Sequence, residues 1–302
     1  MNVDIPYSRL KTFYYVAINR NFKTAAQALS VTDGAVSQQI KDLESRLEKI
    51  LFERSNRQVN LTPDGSILFS IISPIIEKID NVASEFKERT GRIVGKVKIA
   101  SFEDVLLYIL PKYLEKFKTQ YPDCELRLFN VPGKQIRTLV LKGEVDFGVG
   151  SVENLPMGIE GKELWRFERY FIAPLGHPLS RKKSLTVEEI AQYPLVIPDK
   201  EGTQGGTLER VLRDYNPNLK VTVEAVGWEV VKKYVAMGFG VSMIPELSIQ
   251  PKDRRSLCLK PMSDVVGYSH YGLLIKKQKY LSPAARTFIR FLSPGVDFEG
   301  PQ

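Results

Sequence analysis

Residues 22–65 set two short helical patterns, an alternating segment with a polar turn and a capped third helix in one continuous order, and few folds accept that order. The first pattern, Phe22-Lys23-Thr24-Ala25-Ala26-Gln27-Ala28-Leu29, follows Asn21 as its cap. Its apolar residues Phe22, Ala25, Ala26 and Leu29 fall on one helical face. Ser30 and Val31 make a short turn, and Thr32 is a good N-cap for a second helix that turns Val36, Ile40, Leu43 and Leu47 inward. Ala35, Ser37, Gln38 and Lys41 are left near its exposed N-terminal end. Residues 51–61 then read as a β-hairpin carrying Arg54 and Arg57, and Thr62-Pro63 caps and opens another helix. The order predicts a winged helix-turn-helix. Small residues let the second helix approach a DNA major groove, Ser37 and Gln38 can bond bases or phosphates, and Lys41, Arg54 and Arg57 can neutralise phosphate. A structural helical hairpin with a solvated basic turn is the competing reading, and helix-turn-helix alone is a moderate signal.

The first ~65 residues resemble the N-terminal domain of LysR-type transcriptional regulators. Leu10, Phe13, Phe22, Ala25, Ala26, Ala35, Val36, Ser37, Ile40, Glu44, Leu51, Phe52, Arg54, Arg57, Thr62 and Gly65 are among the matching positions. Carried over, the resemblance implies a DNA-binding set of Thr32, Asp33, Gly34, Ala35, Ser37, Gln38, Lys41, Arg54 and Arg57. Two positions depart from the pattern. The family opens its recognition helix with Ser-Gln-Pro or Ser-Gln-Ser, whereas Thr32-Asp33-Gly34 stands here. Asp33 suits a cytosine amino group better than an adenine, or only complements the helix dipole. The family also favours glycine after Leu47, where this chain has Glu48, so a differently shaped turn is expected there.

At 302 residues with 43% apolar content, the chain has room for two or more domains. Its net charge of +8 is not concentrated in the DNA-reading segment, since residues 1–65 hold 9 basic and 7 acidic side chains, a net of +2. Local placement therefore matters more than global basicity. No signal peptide or membrane span is visible, and Cys124 and Cys258 fit a reducing compartment as structural thiols. A cytoplasmic location is expected.

From 66 to 89 the chain reads as a long amphipathic helix, with Ile67, Leu68, Ile71, Ile72, Ile75, Ile76, Ile79, Val82 and Phe86 in a wide apolar stripe. The family uses this segment as a linker that pairs subunits. Pro74 predicts a bend or break. Beyond residue 92 strands alternate with helices, which predicts parallel sheets arranged as two α/β lobes. The expected fold is thus α/β: a winged helix-turn-helix over 1–65, a linker helix over 66–91, and a two-lobed, periplasmic-binding-protein-like effector domain over 92–302. Residues 228–241 look closest to the branch that controls sulfur assimilation.

The resemblance places an effector against Ser101, Phe102, Asp104, Ser151, Thr203, Gln204 and Trp228. Residues 202–207 form a Gly-rich turn into a helix that suits an oxyanion but lacks a nucleotide P-loop ending. Small hydroxyl residues are usual in the first stretch among sulfur-type relatives. Asp104 would instead repel an anion or accept from an amino group, unless it only complements a helix end. Only two histidines, His177 and His270, occur, with no metal spacing and no nucleophile elbow. The expected protein is a regulator and not an enzyme, without a cofactor. Its expected partners are double-stranded DNA, a small-molecule effector, further copies of itself as a homodimer or a dimer of dimers (a homotetramer), and RNA polymerase, with no membrane. A cytoplasmic solute-binding module or an enzyme with an appended winged helix is the alternative.

Overall fold

The computed structural model describes residues 4–55, 58–198 and 205–294. They form two compact units, one from the chain up to Gly95 together with Gln278–Pro283, the other from Lys96–Lys277 together with the chain from Ala284 onward.

In the first unit, α1 (Tyr7–Asn19), α2 (Phe22–Leu29) and α3 (Asp33–Leu47) precede a hairpin of β1 (Phe52–Ser55) and β2 (Gln58–Leu61). Helices α4 (Pro63–Asp80) and α5 (Val82–Arg89) follow. The caps fall where the sequence puts them. Asn21 accepts from the Thr24 amide at 3.0 Å, Thr32 from Ala35 at 3.2 Å and Thr62 from Gly65 at 2.9 Å. The core joins Phe13 and Val16 of α1, Ala25 and Ala26 of α2, Val36, Ile40 and Leu43 of α3, and Ile72 and Ile76 of α4. Each of the buried Phe, Val, Ile and Leu side chains contributes about 1.5–3 kcal/mol by leaving water, and the two alanines less.

The long helix differs from expectation. It runs through Pro74 and is interrupted at Asn81, between α4 and α5. Pro74 cannot donate to the Ser70 carbonyl, but Ser70 is exposed, so water can satisfy that group. The neighbouring Ser73 hydroxyl donates to the Phe69 carbonyl at 2.6 Å. The apolar stripe divides: Ile72 and Ile76 are buried, whereas Ile67, Ile71, Ile75, Ile79, Val82 and Phe86 are exposed. Glu77 accepts from Tyr14 at 3.2 Å and from Lys279 at 3.2 Å, and Tyr280 donates to Glu85 at 2.5 Å.

The second unit opens with β3 (Gly95–Ser101), one π-helical turn (Val105–Ile109), α6 (Pro111–Gln120), β4 (Cys124–Asn130), α7 (Gly133–Lys142) and β5 (Phe147–Ser151). The helical stretch between β3 and β4 is therefore divided at Leu110-Pro111. Strands β6 (Ile159–Phe167) and β7 (Arg169–Pro174) lead to α8 (Val187–Ile190), β8 (Leu195–Pro198), α9 (Gly205–Arg213), β9 (Val221–Ala225) and α10 (Trp228–Ala236). Then come β10 (Ser242–Pro245), β11 (Leu257–Pro261), α11 (Ser263–Val266), β12 (Ser269–Lys276) and α12 (Pro283–Leu292).

One lobe holds a sheet of order β4-β3-β5-β12-β6; the other holds β10-β7-β11 and the pair β8-β9. The sheets are mixed where parallel ones were expected. β3 with β5 and β8 with β9 are parallel, as βαβ crossovers require, but β12 runs antiparallel to β5 and β6, and β7 antiparallel to β10 and β11. The antiparallel strands arise because the chain enters the second lobe after β6 and returns through β12. The division into two α/β lobes stands.

Candidate DNA-reading surface and effector cavity

Helix α3 has two unlike faces. Val36, Ile40 and Leu43 are fully buried, while Asp33, Gly34, Gln38 and Lys41 are exposed and Ala35 and Ser37 half-buried. Asp33, Ser37 and Lys41 lie four residues apart and so share one stripe, with Gly34 and Gln38 beside it. A Cβ added at Gly34 would meet nothing within 4 Å, so the space before this turn is open. Other polar residues of α3 are occupied in holding the unit together. Asp42 pairs with Arg9 at 2.9 Å and Arg46 at 3.1 Å, and the hydrogen bonds from Arg9 and Arg46 hold its carboxyl below the usual range. Gln39 accepts from Thr12 at 2.5 Å, and Glu44 accepts from the amide of Leu51 at 2.8 Å at the entry to the hairpin.

The turn after α3 is left-handed although it lacks glycine. Glu48 adopts the left-handed conformation (φ 52°, ψ 36°) that glycine takes at helix ends, and its amide caps the Glu44 and Ser45 carbonyls. A non-glycine residue here bears the strain of that conformation, roughly 1 kcal/mol. Arg54 lies on β1 opposite Val59. Arg57 lies outside the described residues.

The second feature is a cavity of about 240 Å³ in the second unit. It is lined from one lobe by Phe102, Glu103, Asp104, residues 130–133, Ile136, Arg137, Gly150, Ser151, Tyr271 and Leu274, and from the other by Pro198, Val226, Gly227 and Trp228. Of the effector set carried by the resemblance, Phe102, Asp104, Ser151 and Trp228 meet here. Ser101 does not line it: the residue is fully buried and its hydroxyl donates to the Val149 carbonyl at 2.7 Å, tying β3 to β5. Thr203 and Gln204, with most of the Gly-rich turn, lie outside the described residues.

Glu103, Arg137, Gly227 and Tyr271 were not assigned to the site from sequence. Glu103 adjoins Asp104 in sequence, but nothing in its spacing marks it as facing a cavity. Tyr271 comes from β12, some 170 residues away, which only the sheet order brings beside Phe102, at 5.4 Å between ring centroids. Arg137 donates to the carbonyls of Glu153 at 2.6 Å and Asn154 at 2.9 Å, and burial lowers its pKa.

Asp104 is 2% exposed and burial raises its carboxyl to about 6, against the opposing pull of the Ser248 hydroxyl and the Lys232 charge. His177, one of two histidines in the chain, accepts from the Leu179 amide at 3.3 Å through Nδ1 and is held in its loop. Among the described residues no group of three or more His, Cys, Asp or Glu side chains could hold a metal, and no helix is long and apolar enough to cross a membrane.

Comparison with known proteins bears on both features. Residues 7–66 match the model of the bacterial regulatory helix-turn-helix protein, lysR family, and residues 90–296 match the LysR substrate binding domain. The HTH-type transcriptional regulator CysB of Burkholderia cenocepacia is 27% identical over 295 residues, covering 94% of this chain and 92% of the relative. The regulator SsuR of the same organism is 25% identical, covering 92% and 91%. A full-length OxyR variant from Pseudomonas aeruginosa has a similar fold, with a TM-score of 0.73 at 20% identity over 99% of both chains. CbnR complexed with its target DNA also aligns, at a TM-score of 0.52 and 18% identity over 95% of this chain and 98% of that one. The two family matches together span most of the sequence, and the chain belongs to the LysR family of DNA-binding transcriptional regulators, proteins with an effector-binding domain and not enzymes.

Proposed function

We propose that this regulator reads operator DNA with the exposed stripe of α3 and takes its effector in the cavity lined by Phe102, Asp104, Ser151 and Trp228. One observation carries the DNA assignment: α3 buries Val36, Ile40 and Leu43 and leaves Asp33, Gly34, Gln38 and Lys41 uncovered at its N-terminal end. Asp33, Ala35, Ser37 and Gln38 read base edges, and Lys41, with Arg54 and Arg57, grips phosphate. The proposed division is 1–65 for DNA reading, 66–91 for the linker and 92–302 for effector binding, in a cytoplasmic protein.

The exposed row Ile67, Ile71, Ile75 and Ile79 supports pairing of two chains, as a dimer or a dimer of dimers, so that two copies of α3 meet two half-sites. Effector binding favours a closed arrangement of the lobes, and the change in that equilibrium alters half-site spacing or DNA bending. The test is footprinting of a genomic fragment library at two salt concentrations. A protected pseudo-palindrome whose affinity falls steeply with salt is the expected result, and uniform, unprotected binding contradicts the reading.

A further inference from the structure

The charges around the cavity are unevenly disposed. Its only cationic side chain among the described residues is Arg137, and that guanidinium is half-committed to the carbonyls of Glu153 and Asn154. Its two carboxylates are placed differently. Asp104 is buried and held by Ser248, whereas Glu103 is exposed and, among the described residues, makes no hydrogen bond or ion pair.

Glu103 also lies where an effector anion would be expected. Helix α10 begins at the cavity with Gly227 as its cap, and no side chain caps its first amides. Such a helix start attracts negative charge. One Glu103 carboxylate oxygen stands only 3.4 Å from the position a Cβ on Gly227 would take, so the protein's own carboxylate already faces that turn. A second anion there would meet like charge. A cation would find an acceptor with no ion-pair partner among the described residues, and beside it the rings of Phe102, Trp228 and Tyr271 offer apolar and cation-attracting faces.

Resting on the assignment of this cavity as the effector site, we propose that the effector is a small organic cation. It carries a protonated amine that pairs with Glu103, and an apolar or aromatic body that lies against Phe102, Trp228 and Tyr271. The cavity volume suits a metabolite rather than a nucleotide or peptide, being below the range usual for drug-sized ligands.

Trp165 and Trp228 are the two tryptophans, so in full-length protein carrying Trp165→Phe the emission reports on Trp228 in the cavity wall. The probes are 2-phenylethylammonium, the near-isosteric 3-phenylpropanoate, and sulfate. The amine is expected to shift the emission saturably with a Kd at least roughly tenfold below that of either anion, and Glu103→Gln to remove most of that preference. Glu103→Lys, at an exposed position, is expected to reverse it. Saturable binding of an anion without the amine, or an amine response indifferent to Glu103→Gln, overturns the charge assignment and leaves the cavity as the effector site. Silence from all three probes up to about 10 mM overturns both.

Discussion

The Ser248 hydroxyl donates to the Asp104 carboxylate at 2.5 Å, and both residues are almost wholly removed from water. The bond fastens the start of the π-helical turn in one lobe to the short helical turn after β10 in the other. Behind it, Lys232 donates to the Ser248 carbonyl at 2.7 Å, so the lobes meet through a buried polar chain. Burial, foremost, with Glu103 and Glu229 disfavours the Asp104 charge, and together they outweigh Ser248 and Lys232, which favour it, and put its pKa at about 6. The unfolded chain releases this proton near 3.8 and the folded chain near 6. Between those values the folded state binds more protons, so its stability falls as pH rises, by roughly 3 kcal/mol in all. Asp104→Asn is expected to remove that component. Urea unfolding of both proteins at about pH 4 and pH 7.5 checks this, and an unchanged difference between them contradicts it.

Lys232 is 3% exposed. Burial works against its charge, but a hydrogen bond to Asp253 and an ion pair with Glu229, both at 2.6 Å, prevail and hold its pKa above the ordinary lysine value. Replacing it by Met leaves Asp253 buried without a counter-charge. A loss of about 3–5 kcal/mol is expected, measurable as a lowered denaturation midpoint.

Gly65 sits in the first turn of α4, where alanine would ordinarily gain about 1 kcal/mol in helix propensity. Here a Cβ would overlap the Leu51 carbonyl, a backbone group already fixed by the Thr62 amide at 3.0 Å. Overpacking against backbone costs about 1–3 kcal/mol, so the clash should win. Gly65→Ala is expected to lower the melting temperature of the DNA-reading unit; a rise would show that the hairpin yields.

Two substitutions on α3 separate gripping from reading. Lys41→Ala should weaken binding to all sequences alike and reduce the salt dependence by about one phosphate contact. Gln38→Ala should cost about 1–3 kcal/mol on the operator and relax preference at one base pair per half-site. Fluorescence anisotropy on operator and scrambled duplexes across a salt series distinguishes the two, and identical losses on both duplexes for Gln38→Ala would remove it from base reading.

Ile71 and Ile75 are 57% and 53% exposed, so Asp at either position buries no charge within its own unit. Single-chain stability is expected to change by less than about 0.5 kcal/mol. The association state by sedimentation is expected to shift toward smaller species, and an unchanged state would mean that pairing uses another face.

The DNA-reading unit was legible from sequence because its signals are local. Asn21, Thr32 and Thr62 cap the helices they precede, and the 3.6-residue spacing of Val36, Ile40 and Leu43 separates the core face from the open one. Glu48 shows where local preference yields: an unfavourable residue adopts the left-handed conformation that ends the helix. The effector domain was legible as alternating elements but not as pairings. Strand β6, with burial on few of its residues, and β11 carried too weak an alternation to be found, and the antiparallel return of β12 depends on contacts more than a hundred residues apart. The cavity suffered in the same way. Phe102, Asp104, Ser151 and Trp228 came through family resemblance, whereas Tyr271 needed the sheet order and Ser101 was turned inward by a bond to Val149.

The four isoleucines at 67, 71, 75 and 79 also bear on how this regulator lives beside its relatives. Identical residues repeated every four positions supply adhesion without identity, because any similar row on a paralogue would fit as well. If this row pairs the chains, fidelity of self-assembly falls to the charges that flank it, Lys78 among them, or to synthesis of many copies from one message, where newly made chains meet their own kind first. Co-expressed family members with an equivalent row would be the natural source of mixed assemblies, and such mixing would join two operons that no shared operator connects.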